Sequence, residues 1–233
     1  MLHVDIHSAG YTEQNEIIRN ITFSIKAGEM VALIGANGAG KSTTIKALLG
    51  LLPHVDGTIT FQGAGYAYVP EQPIYYDYLT LWEHIELLAA TSSIDNGWQG
   101  RAEELLHIFR MEEKKHHYLT QFSKGMKQKA MLILAFLAKP GFYIVDEPFL
   151  GLDPTAIHDF LKLLKQEQDR GAGILLCTHV LDTAERICER FLLVSEGNLL
   201  ADGSLSDIQT MSGLPHGTLL ECFDRIVRRD CYA

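Results

Sequence analysis

The stretch Gly35-Ala36-Asn37-Gly38-Ala39-Gly40-Lys41-Ser42-Thr43 (GANGAGKST) decides how this chain is read. Gly35, Gly40, Lys41 and Ser42 fit the spacing G-x-x-x-x-G-K-[ST], and the flanking sequence supplies the context that such a spacing needs. Before it lies MVALI, residues 30–34, a nearly all-apolar run as expected of a strand buried on both faces. After it, Ile45, Ala47, Leu48 and Leu49 suit an apolar helix. In that setting the glycines let successive backbone N–H groups turn inward around phosphate oxygens, and the helix N-terminus adds a favourable dipole. Lys41 is expected to reach the terminal phosphates, Ser42 to ligate Mg²⁺ through its hydroxyl, and Thr43 to contact the neighbouring phosphate or to pack. The ligands implied are ATP and Mg²⁺.

Working outward, the N-terminal third reads as short strands (residues 4–9, 21–26, 30–34, 58–61 and 66–69) punctuated by Gly28, Gly57 and Gly63. Ile21, Phe23 and Ile25 alternate with polar residues, which suits a sheet with one wet face. Between about residues 79 and 138 the period turns helical. Trp82, Ile85, Leu88 and Ala89 share one stripe, Leu105, Leu106, Ile108 and Phe109 another, and a break near residues 92–100 separates the two. From Phe142 onward apolar strands return (FYIV, ILLCT, FLLV), alternating with helices as in βαβ units. One helix is placed closely: Asp153 is a good N-cap, Pro154 suits the first helical position, Ile157, Phe160, Leu161 and Leu164 form an apolar face, and Gly171 ends it. The fold class expected is α/β, with residues 1–78 and 139–206 as a catalytic core, residues 79–138 as an inserted helical subdomain and residues 207–233 as a weakly patterned C-terminal extension.

The run Phe142-Tyr143-Ile144-Val145-Asp146-Glu147 is four apolar residues capped by two acids, as expected where a buried parallel strand ends at an active site. Asp146 is placed to hold Mg²⁺, directly or through water, and Glu147 to polarise an attacking water. His179 closes another apolar run, ILLCTH, where a γ-phosphate contact is the functional reading and a satisfied structural histidine the bland one. The other nine histidines read as surface residues.

Bulk properties bound the alternatives. The chain has 233 residues, 47% of them hydrophobic and 21% charged, and a net charge of −9, so an ordinary globular core is expected. No basic block offers a nucleic-acid footprint. The longest apolar stretch, residues 130–138, is far short of the roughly 20 residues that span a bilayer. The opening MLHVDIHSAG has neither the basic nor the apolar region of a secretory signal, and a cytoplasmic chain is expected. Cys177, Cys188, Cys222 and Cys231 lack paired spacing and read as reduced thiols.

Taken in order, these motifs resemble the ATP-binding domain of ABC transporters, over nearly the whole chain from about Leu2 to Gly203. Residues 35–43 match the Walker A motif and residues 142–147 match Walker B with its catalytic glutamate. Phe122-Ser123-Lys124-Gly125-Met126 resembles the LSGGQ signature, and Leu150-Gly151-Leu152-Asp153 resembles the D-loop. His179 takes the place of the switch histidine, and Tyr11 resembles the aromatic residue that stacks on adenine. The resemblance implies a P-loop NTPase with a RecA-like core, an N-terminal antiparallel β subdomain and an inserted helical subdomain. It further implies that Ser123 and Gly125 act on ATP held by a second copy in a head-to-tail dimer, and that Asp153 of the D-loop is among the nucleotide-binding residues. In two places the sequence departs from the pattern: Lys124 and Met126 stand where LSGGQ has glycine and glutamine, and Glu71, rather than Gln72, falls at the Q-loop glutamine position.

The phrases FSKGMKQK, DEPFLGLDP, EHIELLA and THVLDTAER are similar to those of the Ecs-type bacterial ATP-binding subunit. That likeness implies an exporter-like partnership with an EcsB-like integral membrane permease, coupled near residues 71–81, at the cytoplasmic face of the membrane. Two rivals are a soluble non-transport ATPase of the same fold and a regulator that uses ATP only as a dimerisation switch.

Overall fold

A computed structural model of the chain describes residues 1–12, 14–63, 65–92, 94 and 97–230. Three residues of the expected interhelical break (Ser93, Asp95 and Asn96) and Cys231 lie outside the described residues. The chain forms two compact units: residues 1–63 with 173–233, and residues 64–172.

The first unit begins with β1 (Leu2–Thr12), β2 (Asn15–Ile25), β3 (Met30–Ile34), α1 (Lys41–Leu48) and β4 (His54–Phe61). β1 pairs antiparallel with both β2 and β4, so the expected antiparallel N-terminal subdomain is present. Leu2, Val4 and Ile6 on β1 and Ile21, Phe23 and Ile25 on β2 turn to the same buried side, as strict alternation requires. The strands are longer than their apolar cores suggest. β2 starts at Asn15, because Asn15, Glu16 and Arg19 are exposed residues that still complete its ladder with β1. All five residues of β3 are buried.

Unit one continues, after the second unit, with β7 (Gly173–Cys177), α6 (Leu181–Ile187), β8 (Arg190–Ser195), β9 (Asn198–Gly203), α7 (Leu205–Ser212) and α8 (Leu219–Asp230). β3 lies between β8 and β7, parallel to both, and β8 turns antiparallel into β9. β9 was not expected from the sequence. Its hairpin loop is Glu196-Gly197, both with positive φ (48° and 79°), the backbone that two-residue hairpins favour but usually fill with Asn-Gly. The extension is also more ordered than its sequence suggests. Ser204 and Asp207 form a capping box at α7, Gly213 ends it in the left-handed region, and α8 buries Leu219, Cys222 and Ile226.

The second unit holds β5 (Tyr66–Val69), α2 (Leu81–Thr91), α3 (Trp98–Phe109), α4 (Lys124–Ala138), β6 (Phe142–Asp146) and α5 (Pro154–Asp169), with β5 and β6 parallel. Thr80 and Glu83 cap α2 reciprocally. The buried stripe of α2 is Leu81, His84 and Ile85, with Trp82, Leu88 and Ala89 half-buried beside it. On α5 the expected N-cap, Pro154 and Gly171 stand where the sequence puts them, but the buried face is rotated to Ala156, Phe160, Leu163, Leu164 and Glu167, leaving Ile157 and Leu161 at its margin. Glu167 is tolerated there because Arg170 pairs with it at 2.7 Å and also donates to the Pro140 carbonyl at 2.6 Å. The end of α5 thereby holds the entrance to β6.

Candidate nucleotide site

In the first unit the phosphate loop leaves β3 and is shaped by close backbone approach. A Cβ on Gly35 would come within 2.5 Å of the Val194 carbonyl oxygen, and one on Gly40 within 2.8 Å of Ile18 Cγ2. Gly40 also has φ 108°, outside the range of ordinary L-residues. The unforeseen β8–β9 hairpin braces this loop, since Gly197 N–H donates to the Ala39 carbonyl at 3.0 Å. α1 has Gly40 as its N-cap, with no side chain to satisfy its first amides. Unsatisfied first-turn amides are what an anion binds. Ala36, Asn37, Gly38 and Ser42 are exposed, whereas Thr43 is buried. Lys41 is only 8% exposed, and its ammonium donates to the carbonyls of Gly35 (2.8 Å) and Ala36 (3.2 Å), which centres the charge on the loop itself.

His179 lies two residues beyond β7 and is exposed, so the satisfied-core reading of it does not hold. Its neighbour Thr178 is fully buried, donates its N–H to the Leu33 carbonyl at 3.3 Å, and accepts from Val180 N–H at 3.0 Å through its hydroxyl. Leu33 and Cys177 are register partners, so the phosphate loop and His179 leave adjacent parallel strands at the same carboxyl edge. Ligands of α/β sheets bind at that edge. Tyr11, at the end of β1, is exposed, and its hydroxyl accepts from Lys46 on α1 at 2.9 Å.

In the second unit Asp146 and Glu147 are 5% and 8% exposed at the carboxyl end of β6. Glu147 has φ 46°, a left-handed conformation rare for a residue with a side chain. Ser123 is the N-cap of α4, its hydroxyl accepting from Met126 N–H at 3.3 Å, so the helix begins just after it. Gly125 packs directly on the Gly151 carbonyl, where no Cβ fits. One turn further along α4, Lys129 pairs with Asp153 at 2.9 Å, and the other Asp153 oxygen accepts from Ala156 N–H at 2.9 Å. These partners hold the Asp153 carboxyl below the usual carboxylate range, Lys129 contributing most. The signature-like and D-loop-like segments are thus one locked substructure, and Lys129 carries no motif signal that would reveal its part in advance.

Glu71 and Gln72 are exposed, at the start of a segment tied to its unit at three points. The buried Gln128 donates to the Pro70 carbonyl at 3.5 Å, Lys127 lies 4.9 Å from the Tyr75 ring centroid, and Tyr76 N–H donates to His84 Nε2 at 2.9 Å. His84 corrects the expectation that the remaining histidines lie at the surface. It is 6% exposed, with Nδ1 2.8 Å from the Thr80 carbonyl, so both ring nitrogens are satisfied inside the fold. Cys177, Cys188 and Cys222 are buried, and burial pushes the Cys188 thiol up. Among the described residues no helix is long and apolar enough to cross a membrane.

Comparison with known proteins agrees with this geometry. The family model described as ABC transporter matches residues 18–150. The chain is 48% identical over 231 residues to the uncharacterized ABC transporter ATP-binding protein YthP of Bacillus subtilis, covering 99% of this chain and 98% of that protein. It is 39% identical to the ABC-type transporter ATP-binding protein EcsA of the same organism, again covering 99% and 98%. A solved structure of the ATP-binding subunit of an ABC transporter superposes with a TM-score of 0.93 at 43% identity, over 97% of this chain and 99% of that one. Phosphate loop, signature-like helix and acid-capped strand, in this order along the chain, place it in the ABC transporter family, as an ATP-binding and ATP-hydrolysing subunit.

Proposed function

We propose that this subunit closes on a second copy of itself head-to-tail around ATP, and that closure and hydrolysis drive a separate EcsB-like membrane permease from the cytoplasmic face. The family's ATP-binding subunits dimerise and work with permeases. In this reading the backbone of residues 35–40, Lys41 and Thr43 cradle the phosphates, and Tyr11 stacks on the base. Ser42 and Asp146 are hard oxygen donors of the kind Mg²⁺ takes, and the ion shields phosphate charge when bound. Glu147 orients and polarises the attacking water, and His179 contacts the γ-phosphate. Ser123 and Gly125, with Asp153, serve the ATP of the other copy, while Glu71 and Gln72 link the site to the permease. Residues 79–138 are the inserted helical subdomain. Ile74, Tyr76 and Tyr78, which are 73%, 64% and 91% exposed, supply an apolar and aromatic surface for the permease to cover.

The observation that carries hydrolysis, rather than binding alone, is the backbone of Glu147. A buried carboxylate held at φ 46° costs free energy that a mere strand end has no reason to spend, and such strain concentrates at functional sites. Glu147→Gln should retain ATP binding, lose hydrolysis and accumulate an ATP-bound dimer on size exclusion. Hydrolysis at the original rate would remove Glu147 from its role and with it this account of the site.

A further inference from the structure

Lys46 lies on the exposed side of α1, the helix whose first turn carries Lys41 and Ser42. Its ammonium donates to the Tyr11 hydroxyl at 2.9 Å and stands 5.2 Å from the centroid of the same ring. Tyr11 itself is 46% exposed at the end of β1, so little packing fixes its ring. An exposed lysine–tyrosine contact adds little to fold stability, because ordering a long side chain costs most of what the contact returns. Its consequence is positional: one side chain links an exposed aromatic ring to the phosphate-binding helix.

We propose that Lys46 is a positioning residue for the nucleobase, which anchors Tyr11 so that base platform and phosphate loop act as one preorganised surface. This rests on the reading of Tyr11 as the adenine-stacking ring. Lys46 acts through Tyr11, so its contribution belongs to ligands that carry a base. ATP and ADP gain it equally, and inorganic tripolyphosphate gains nothing. An exposed contact of this kind corresponds to about a two- to fivefold change in affinity.

The test is equilibrium titration of ATP, ADP and tripolyphosphate against the full chain and the variants Lys46→Met, Lys46→Arg, Tyr11→Phe, Tyr11→Ala and the Lys46→Met/Tyr11→Phe pair. Lys46→Met should weaken ATP and ADP alike and leave tripolyphosphate unchanged. Lys46→Arg should restore affinity, since arginine also donates to a hydroxyl. Tyr11→Phe removes the acceptor and keeps the ring, so it should match Lys46→Met, and the pair should be no weaker than either single change. Wild-type ATP affinity in Lys46→Met beside a weakened Tyr11→Ala overturns the inference and leaves the base platform standing. An equal loss for tripolyphosphate overturns it too, by placing the lysine on the phosphates. Wild-type affinity in Tyr11→Ala overturns the reading of Tyr11 on which the inference rests.

Discussion

Replacing Gly125 with alanine sets two magnitudes of opposite sign against each other. Gly125 is the second residue of α4, and alanine is favoured over glycine in a helix interior by about 1 kcal/mol, with less of that realised in a first turn. On propensity alone the variant is more stable. Against this, the new Cβ would overlap the Gly151 carbonyl oxygen and lie 3.4 Å from its carbon. Gly151 has little freedom to withdraw. It sits at φ 83°, and two residues later Asp153 is tied both to α4 through Lys129 and to the first turn of α5. Overpacking against backbone costs about 1–3 kcal/mol, so the clash wins by about 1–2 kcal/mol. For a chain of this size each kcal/mol lowers Tm by about 2–4 °C, and a fall of about 2–8 °C is expected, leaving a folded protein. The functional loss should be out of proportion to that fall, because the displaced atoms lie beside Ser123. In a Glu147→Gln background the ATP-dependent dimer should disappear at temperatures where the monomer is fully folded. Calorimetry and size exclusion read the two quantities separately. A Tm equal to or above that of the parent, with the dimer intact, would refute the reasoning.

Two further expectations concern stability. His84→Ala leaves the Tyr76 N–H without its acceptor and opens a void under α2, which should cost about 2–3 kcal/mol and lower Tm by roughly 4–12 °C; a change below 2 °C in thermal melts would show that the ring does not hold the 71–80 segment. Asp153 has a folded-state pKa below its ordinary 3.8, so its stabilising contribution is fully present above that ordinary value and is lost only as pH falls through the lower, folded one. The Tm difference between the parent and Asp153→Asn should therefore stay constant from pH 5 to 8, and a slope across that window would contradict the assigned ionisation.

What the sequence could and could not disclose follows from the range over which each feature is determined. The phosphate loop, the buried strand before it, the acid-capped strand and the Asp153-Pro154 helix start are local: a few adjacent residues specify backbone conformation, and each stands where its residues put it. β9 was missed because its turn, Glu196-Gly197, takes up a hairpin backbone without the asparagine or aspartate that usually announces one. The capping box Ser204–Asp207 is equally local, but the short α7 that it opens buries only Ile208 and Ser212, too few to show a period. His84 was misread for a different reason. Burying an imidazole depends on two backbone partners, one of them eight residues away, and its own neighbours in sequence say nothing of that. Lys46 and Lys129 lie at the far end of the scale. Neither lysine carries a signal in its own neighbourhood until Tyr11, 35 residues distant, and Asp153, 24 residues distant, are brought to it. Motif residues announce chemistry because their spacing is fixed by a loop or a strand end, whereas the residues that hold those motifs in place are specified only by the fold. Replacing Lys46, or the Asp153 that Lys129 holds, therefore tests the tertiary arrangement in a way that no substitution within the phosphate loop can.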